Sequence, residues 1–217
     1  MTEEYRAPRI PDIGPIKKDL KLELLREEKK IIETYRKRSE NDFRCFYRGL
    51  TIASQTGPQI FERCIAPFQR DFFEVIADNL HALRDGNKPD RRRFWLERTK
   101  KASKDADLAI IILWIIAFPV RPFYAQVGAA NREQAGIVKD RITHLLHWNP
   151  WLNDYIELIN NVVRSKKLLA NGNPMAVLDI LSSDVAGAHG GTPDLLIVNG
   201  LSHITRWEFV ENLLDNA

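Results

Sequence analysis

Residues 91–107 read RRRFWLERTKKASKDAD, and residues 108–118, LAIIILWIIAF, follow without a break. The first part predicts a short strand over 94–97, a tight polar loop over 98–103, and a helix that carries Lys104 at its start. Strand, polar loop, lysine and apolar helix together make the layout of a phosphate-binding loop. In such a loop the free N–H groups of a helix N-terminus and a lysine ammonium hold an anion. This loop has no glycine, the residue that lets a backbone take φ > 0 and approach phosphate closely. The apolar run is eleven residues long, about half of the ~20 needed to span a bilayer. Asp105 and Asp107 precede it and Arg121 follows, so it predicts a helix buried on all sides.

Around that stretch the charge is uneven. The whole chain of 217 residues is 28% charged with a net charge of +3. Residues 84–104 hold nine Lys or Arg against three acids, a local excess of six. Such an excess points to a polyanion, either phosphates or nucleic acid, with Arg91, Arg92 and Arg93 as candidate DNA contacts. A solvated charged loop is the plain alternative. Two cysteines, Cys45 and Cys64, give neither metal spacing nor a disulfide framework. Residues 1–14 carry no apolar core of a signal peptide.

Working outward, residues 15–40 predict a long charged helix, with Leu20, Leu24, Ile31 and Tyr35 near helical spacing. Residues 41–60 are ambiguous, with Phe43, Cys45 and Phe46 as candidates to dock this helix on the body. Residues 66–83 predict a helix, with Pro67 in its first turn and Phe68, Phe72, Ile76 and Leu80 every four residues. Gln69 falls in that first turn. Beyond the central loop, 122–130 predict a core strand and 134–147 a helix. Residues 151–163 predict another helix, then 166–170 and 176–181 two strands joined by the turn cluster at 171–174. The loop over 182–193 carries glycines. Residues 194–198 read DLLIV, a continuous apolar run like a buried parallel strand. A helix over 206–215 follows. Alternation of strands and helices predicts an α/β protein with a mainly parallel sheet.

In that order, PFQRDFF around Gln69, the basic loop ending in Ser103-Lys104, QVGAANREQA after the second strand, and SSDVAGAHGGTPDLLIVNGLSHI resemble the ATPase domain of the large terminase subunit of tailed bacteriophages. The resemblance covers roughly residues 60–217 and rests on the order and spacing of four segments. It implies a P-loop NTPase-like three-layer sandwich over 61–217, preceded by a helical extension over 1–60. It further implies a domain truncated at its C-terminus and without the nuclease domain. It implies ATP and Mg²⁺ as ligands, and double-stranded DNA, a small terminase subunit and a portal as partners. A homo-oligomeric ring in the host cytoplasm, with no membrane, completes the picture.

The resemblance also assigns residues. Gln69 matches the glutamine that reads the adenine edge. Arg98, Lys100, Lys101, Ala102, Ser103, Lys104 and Asp105 match the phosphate loop, with Lys104 reaching the β- and γ-phosphates and Arg98 in the place of the loop's first basic residue. Ala129, Ala130, Asn131, Gln134 and Ala135 match a short motif after the second strand. Residues 194–200 match the second nucleotide motif. Several positions depart from the pattern. Asp105 stands where a hydroxyl normally binds Mg²⁺; its carboxylate is a metal ligand that also repels phosphate. Asn199 and Gly200 stand where two acids are expected. Asn199 keeps an amide oxygen for a metal-bound water, whereas Gly200 has no group to position or deprotonate an attacking water. Weak hydrolysis is therefore expected. A non-enzymatic prophage remnant or split-gene fragment that acts only as a binding or assembly module is the alternative.

Other features carry less. His144 and His147 lie three apart on a helix without a third ligand, His189 lies in the glycine-bearing loop, and His203 is expected to pack on the last helix. Trp95, Trp114, Trp148, Trp151 and Trp207 are expected to be packing residues. A helicase-type motor is disfavoured by the lack of its companion motifs.

Overall fold

The computed structural model describes residues 17–54, 56–99, 102–183 and 191–215. Helix α1 (Lys17–Asn41) leads to α2 (Phe43–Gly49), the hairpin β1 (Thr51–Ser54) and β2 (Gly57–Ile60), the single turn α3 (Phe61–Cys64) and α4 (Pro67–Arg84). Asp42 caps α2 by accepting the Arg44 N–H at 2.8 Å, and Pro67 opens α4 where its missing N–H is harmless. Phe43, Phe46 and Tyr47 of α2 are fully buried and share one core with the central helix.

That central helix is α5 (Lys104–Ala117). It is apolar all round because other elements enclose it: α2, α4, α6 (Arg132–Trp148) and the sheet all pack on it. Trp114 is the largest fully buried side chain; its Nε1–H donates to the Ser39 carbonyl at 2.9 Å, and the Arg84 guanidinium sits 4.8 Å from its ring centre. Truncating a tryptophan so enclosed typically costs about 3–5 kcal/mol. None of the described helices is long and apolar enough to cross a membrane.

The remaining elements are β3 (Phe123–Ala129), a 3₁₀ turn (Pro150–Asp154), β4 (Ile156–Ile159), β5 (Val162–Ser165), β6 (Ala176–Ser182), β7 (Leu195–Asn199), a second 3₁₀ turn (Leu201–His203) and α7 (Trp207–Asp215). One five-stranded sheet runs β4-β5-β6-β3-β7. Its centre is parallel: β3 pairs with β6 from Phe123↔Ala176 to Ala129↔Ser182, and with β7 from Ala125↔Leu195 to Ala129↔Asn199. An antiparallel hairpin, β4 and β5, forms one edge.

Alternation along β3 separates two faces. Ala125, Val127 and Ala129 join the α5 and α6 core, while Phe209 and Leu213 of α7 cover the other face at Gly128. A Cβ on Gly128 would lie 2.5 Å from Leu213 Cδ1, so any larger residue there would force the buried Leu213 side chain to shift. The result is the α/β, three-layer arrangement expected from the sequence.

Four local expectations are corrected. Residues 94–97 form no strand. That segment runs along α4, where the Arg91 N–H donates to Asn79 Oδ1 at 2.8 Å and the Arg98 guanidinium lies over Phe68 and Phe72; a strand needs a neighbouring strand, and none is there. Residues 151–163 are not a helix but a 3₁₀ turn and the β4–β5 hairpin. Asn160, at φ 55, makes the two-residue turn that pairs Ile159 with Val162. Residues 166–170 contribute only the bridge Leu168↔Pro174, because on one side the Gly172 N–H closes a tight turn on the Leu169 carbonyl at 2.9 Å and on the other the Lys166 N–H already donates to the Tyr155 carbonyl at 2.7 Å. Finally, Trp95 and Trp207 are exposed at 74% and 57%, not packed.

Candidate functional site

The two ends that matter are the start of α5 and the C-terminal end of β7. In parallel α/β sheets, ligands bind beyond the carboxyl ends of the strands, and helix N-termini there attract anions. The start of α5 has no side-chain cap: the Ser103 carbonyl accepts from Ala106 and Asp107 N–H at 3.0 and 3.1 Å, but its hydroxyl caps nothing. Among the described residues nothing accepts from the first N–H groups of the helix, which leaves them for a ligand. Ser103 itself takes the left-handed conformation at φ 58. This is the backbone state that the missing glycine would adopt without strain, and for serine it costs roughly 1–2 kcal/mol. Lys104, half-buried, begins the helix. Lys100 and Lys101 lie outside the described residues.

Two side-chain clusters meet at this helix end. In the first, Gln69 Nε2 donates to Asp107 Oδ1 at 2.7 Å, and the Ala66 N–H donates to Gln69 Oε1 at 3.2 Å. These two partners fix which way the carboxamide faces. Among the described residues they leave one N–H and one oxygen lone pair without a partner. Arg98 donates to Asp107 Oδ2 and, at 3.3 Å, to the Ala102 carbonyl inside the loop. Its Nη2 is buried without a partner among the described residues. Gln69, Arg98, the loop and the helix start are therefore tied together through Asp107, a fully buried residue. Burial pushes the Asp107 carboxyl up to about 6, against the opposing pull of Arg98 and Gln69.

In the second cluster, Asn199 Nδ2 at the end of β7 donates to Asp105 Oδ1 at 2.8 Å. A carboxylate accepts only, so the amide must turn its NH₂ toward Asp105 and its oxygen away. That oxygen is buried and has no partner among the described residues. An orphaned amide oxygen beside a carboxylate is a set of hard oxygen donors that fits a partly hydrated Mg²⁺. Gly200 follows at φ 70. A Cβ there would sit 3.7 Å from Gln134 Oε1 and 3.8 Å from His203 Cδ2, so the empty position is walled by a carboxamide and an imidazole. Gln134 is held near it because Asn131 Oδ1 caps α6 by accepting the Gln134 N–H at 2.9 Å.

The candidates from the sequence thus divide. Gln69, Arg98, Ala102, Ser103, Lys104, Asp105 and Asn199 gather at one end of α5 and β7, with Gly200 adjoining. Arg91, Arg92 and Arg93 lie apart from it on the exposed coil. His203 is exposed rather than packed on α7, and His189 lies outside the described residues. Among the described residues no three potential metal ligands of the His, Cys, Asp and Glu type come together. Sequence reasoning missed Asp107, which heads an apolar run and has its partner, Gln69, 38 residues away. It also gave Gln134 no role, although the N-cap spacing from Asn131 was visible.

No family model matches the chain, and no curated protein does. Among solved structures, the large terminase of bacteriophage HK97 is similar, with a TM-score of 0.55 and 23% identity over 74% of this chain. The chain spans 30% of that protein's length. The likeness shows a terminase-like fold.

Proposed function

We propose that this chain binds ATP with Mg²⁺ at the start of α5, as the ATPase part of a motor of the large-terminase type that drives double-stranded DNA into a procapsid. Residues 61–217 form the nucleotide-binding unit in this reading. A small terminase subunit, a portal and further copies in a ring are its partners, in the host cytoplasm. The observation that supports it most is the convergence of two hydrogen-bonded pairs, Gln69–Asp107 and Asp105–Asn199, on the uncapped N-terminus that carries Lys104.

In this reading the free N–H and lone pair of Gln69 meet the donor and acceptor of an adenine edge. Lys104 and the α5 N–H groups hold the phosphates. Asp105 and the orphaned oxygen of Asn199 hold the metal or its water shell. Mg²⁺, when bound, neutralises charge on the phosphate oxygens. The Asp105 carboxylate opposes that charge and weakens binding of metal-free ATP. Arg91, Arg92 and Arg93 face DNA phosphate. Hydrolysis is weak, because Gly200 offers nothing to orient or deprotonate water.

Binding of a fluorescent ATP analogue, followed by anisotropy with Mg²⁺, tests the reading. Lys104→Ala is expected to weaken binding at least about tenfold, the loss of one charge-assisted contact of about 1.5–3 kcal/mol. Unchanged affinity, or none in the parent chain, would remove it. Gly200 favours a second reading, a non-enzymatic binding or assembly module. That reading is expected to show no nucleotide affinity at all.

A further inference from the structure

The segment before the helix has one feature that nucleotide binding leaves unexplained. Trp95 is 74% exposed and Phe94 41% exposed, and they directly follow Arg91, Arg92 and Arg93, all exposed. None of these three arginines forms an ion pair with another described residue. Solvating a tryptophan serves no folding purpose, and here it lies two residues from three consecutive arginines.

The segment is also held. Its Arg91 N–H is bonded to Asn79 near the end of α4, and Arg98 is clamped on Phe68, Phe72 and Asp107 near its start. From Asn79 back to Phe68 is eleven residues of helix, roughly 16 Å. From Arg91 to Arg98 the chain can reach roughly 24 Å when fully extended. The span is tied at both ends, and Trp95 is displayed from a tethered strip. Beside it, α4 exposes Phe68 and Val75, each 50%.

We infer that this strip, Arg91–Arg92–Arg93 with Phe94 and Trp95, is a docking site for single-stranded nucleic acid. The inference extends the DNA-facing reading of the arginines and does not depend on nucleotide binding. Guanidinium groups track phosphates, while an unpaired base offers its flat face to a protruding indole. Base pairs inside a duplex are stacked on both sides and offer Trp95 no face. A single strand at a frayed end or a gap offers one. The strip's charge complements a polyanion, which favours nucleic acid over a protein partner of ordinary composition.

The test uses the full chain and three probes: a labelled oligothymidylate, a blunt duplex of equal length, and poly-glutamate. The oligothymidylate is expected to bind more tightly than the duplex. The logarithm of its affinity is expected to fall with the logarithm of salt with a slope near about −2, for three single-strand phosphates. Trp95→Ala is expected to weaken oligothymidylate binding by roughly fivefold to a hundredfold, the range for losing one stacked base, and to leave duplex binding unchanged. Replacing Arg91, Arg92 and Arg93 with Gln is expected to flatten the salt slope. All these side chains are exposed, so melting temperatures of the variants check that the fold is kept. Equal affinity for the duplex with no effect of Trp95→Ala overturns the single-strand inference and keeps the DNA reading. Binding to neither nucleic acid overturns both. Poly-glutamate binding as tight as oligothymidylate marks a protein-facing cationic surface and overturns the inference.

Discussion

Substituting Asp107 by Asn separates what this residue does for the fold from what it does for the site. Asn keeps the shape and can still accept from Gln69, but it carries no charge. The carboxyl of Asp107 rises from its ordinary 3.8 to about 6. At about 1.36 kcal/mol per tenfold change in proton affinity, holding the ionised form in the folded state costs roughly 3 kcal/mol near neutral pH. Because the folded value lies above the unfolded one, the stability linked to this group is fully present below about pH 3.8. It is lost as pH rises through about 6. A side chain that never ionises escapes that loss. Asp107→Asn is therefore expected to be more stable than the parent by roughly 3 kcal/mol at pH 7. For a chain of this size that is roughly 6–12 °C in melting temperature. The gain should shrink toward zero near pH 4, where the parent is itself protonated. Thermal melts of both proteins between pH 4 and 8 check this. The opposing effect is the loss of the partner of Arg98. Stripping one member from a buried ion pair commonly costs about 3–5 kcal/mol. A variant less stable than the parent by that amount would refute the reasoning: the attraction to Arg98, rather than dehydration, would then govern Asp107. If stability does rise while nucleotide affinity falls, the buried charge is retained for the site at the expense of the fold.

Two further outcomes follow from the backbone. Ser103→Gly removes a serine from the left-handed region; it is expected to raise stability by about 1 kcal/mol, or roughly 2–4 °C, in a thermal melt, and an unchanged or lower melting temperature would show that Ser103 carries no strain. Gly200→Glu has room for its first side-chain carbon, the nearest neighbours being 3.7 and 3.8 Å away, at a backbone cost of roughly 1–2 kcal/mol at φ 70. If the absent base is the limiting defect, ATP turnover is expected to rise by roughly 10²-fold or more; unchanged turnover moves the fault to residues 102–105.

The sequence made legible those elements whose own periodicity or apolar run decides them. The spacing of Phe72, Ile76 and Leu80 marked α4, and the runs at 108–118 and 195–198 marked α5 and β7. Elements decided by partners were not legible. Residues 94–97 have strand-like composition, yet the chain gives them helix α4 rather than a strand as neighbour. The spacing of Leu152, Ile156, Ile159 and Val163 imitated a helix, and only the Asn160-Asn161 pair, a turn signal, distinguished the hairpin. The gathering of Gln69 and Lys104 was expected from family resemblance, but the residue that joins Gln69 to Arg98 was not. Asp107 looked like a helix-start acid on the edge of an apolar run. Its role arises from burial and from contacts with residues 38 and nine positions away, which no local pattern encodes.

The central claim is that ATP with Mg²⁺ sits where α5 begins and β7 ends. Amide hydrogen exchange, with and without Mg-ATP, tests it most directly. The account expects slowed exchange at residues 102–107 and 198–201, lost in Lys104→Ala. Unchanged exchange in both segments at saturating Mg-ATP, or protection confined to another part of the chain, would contradict it.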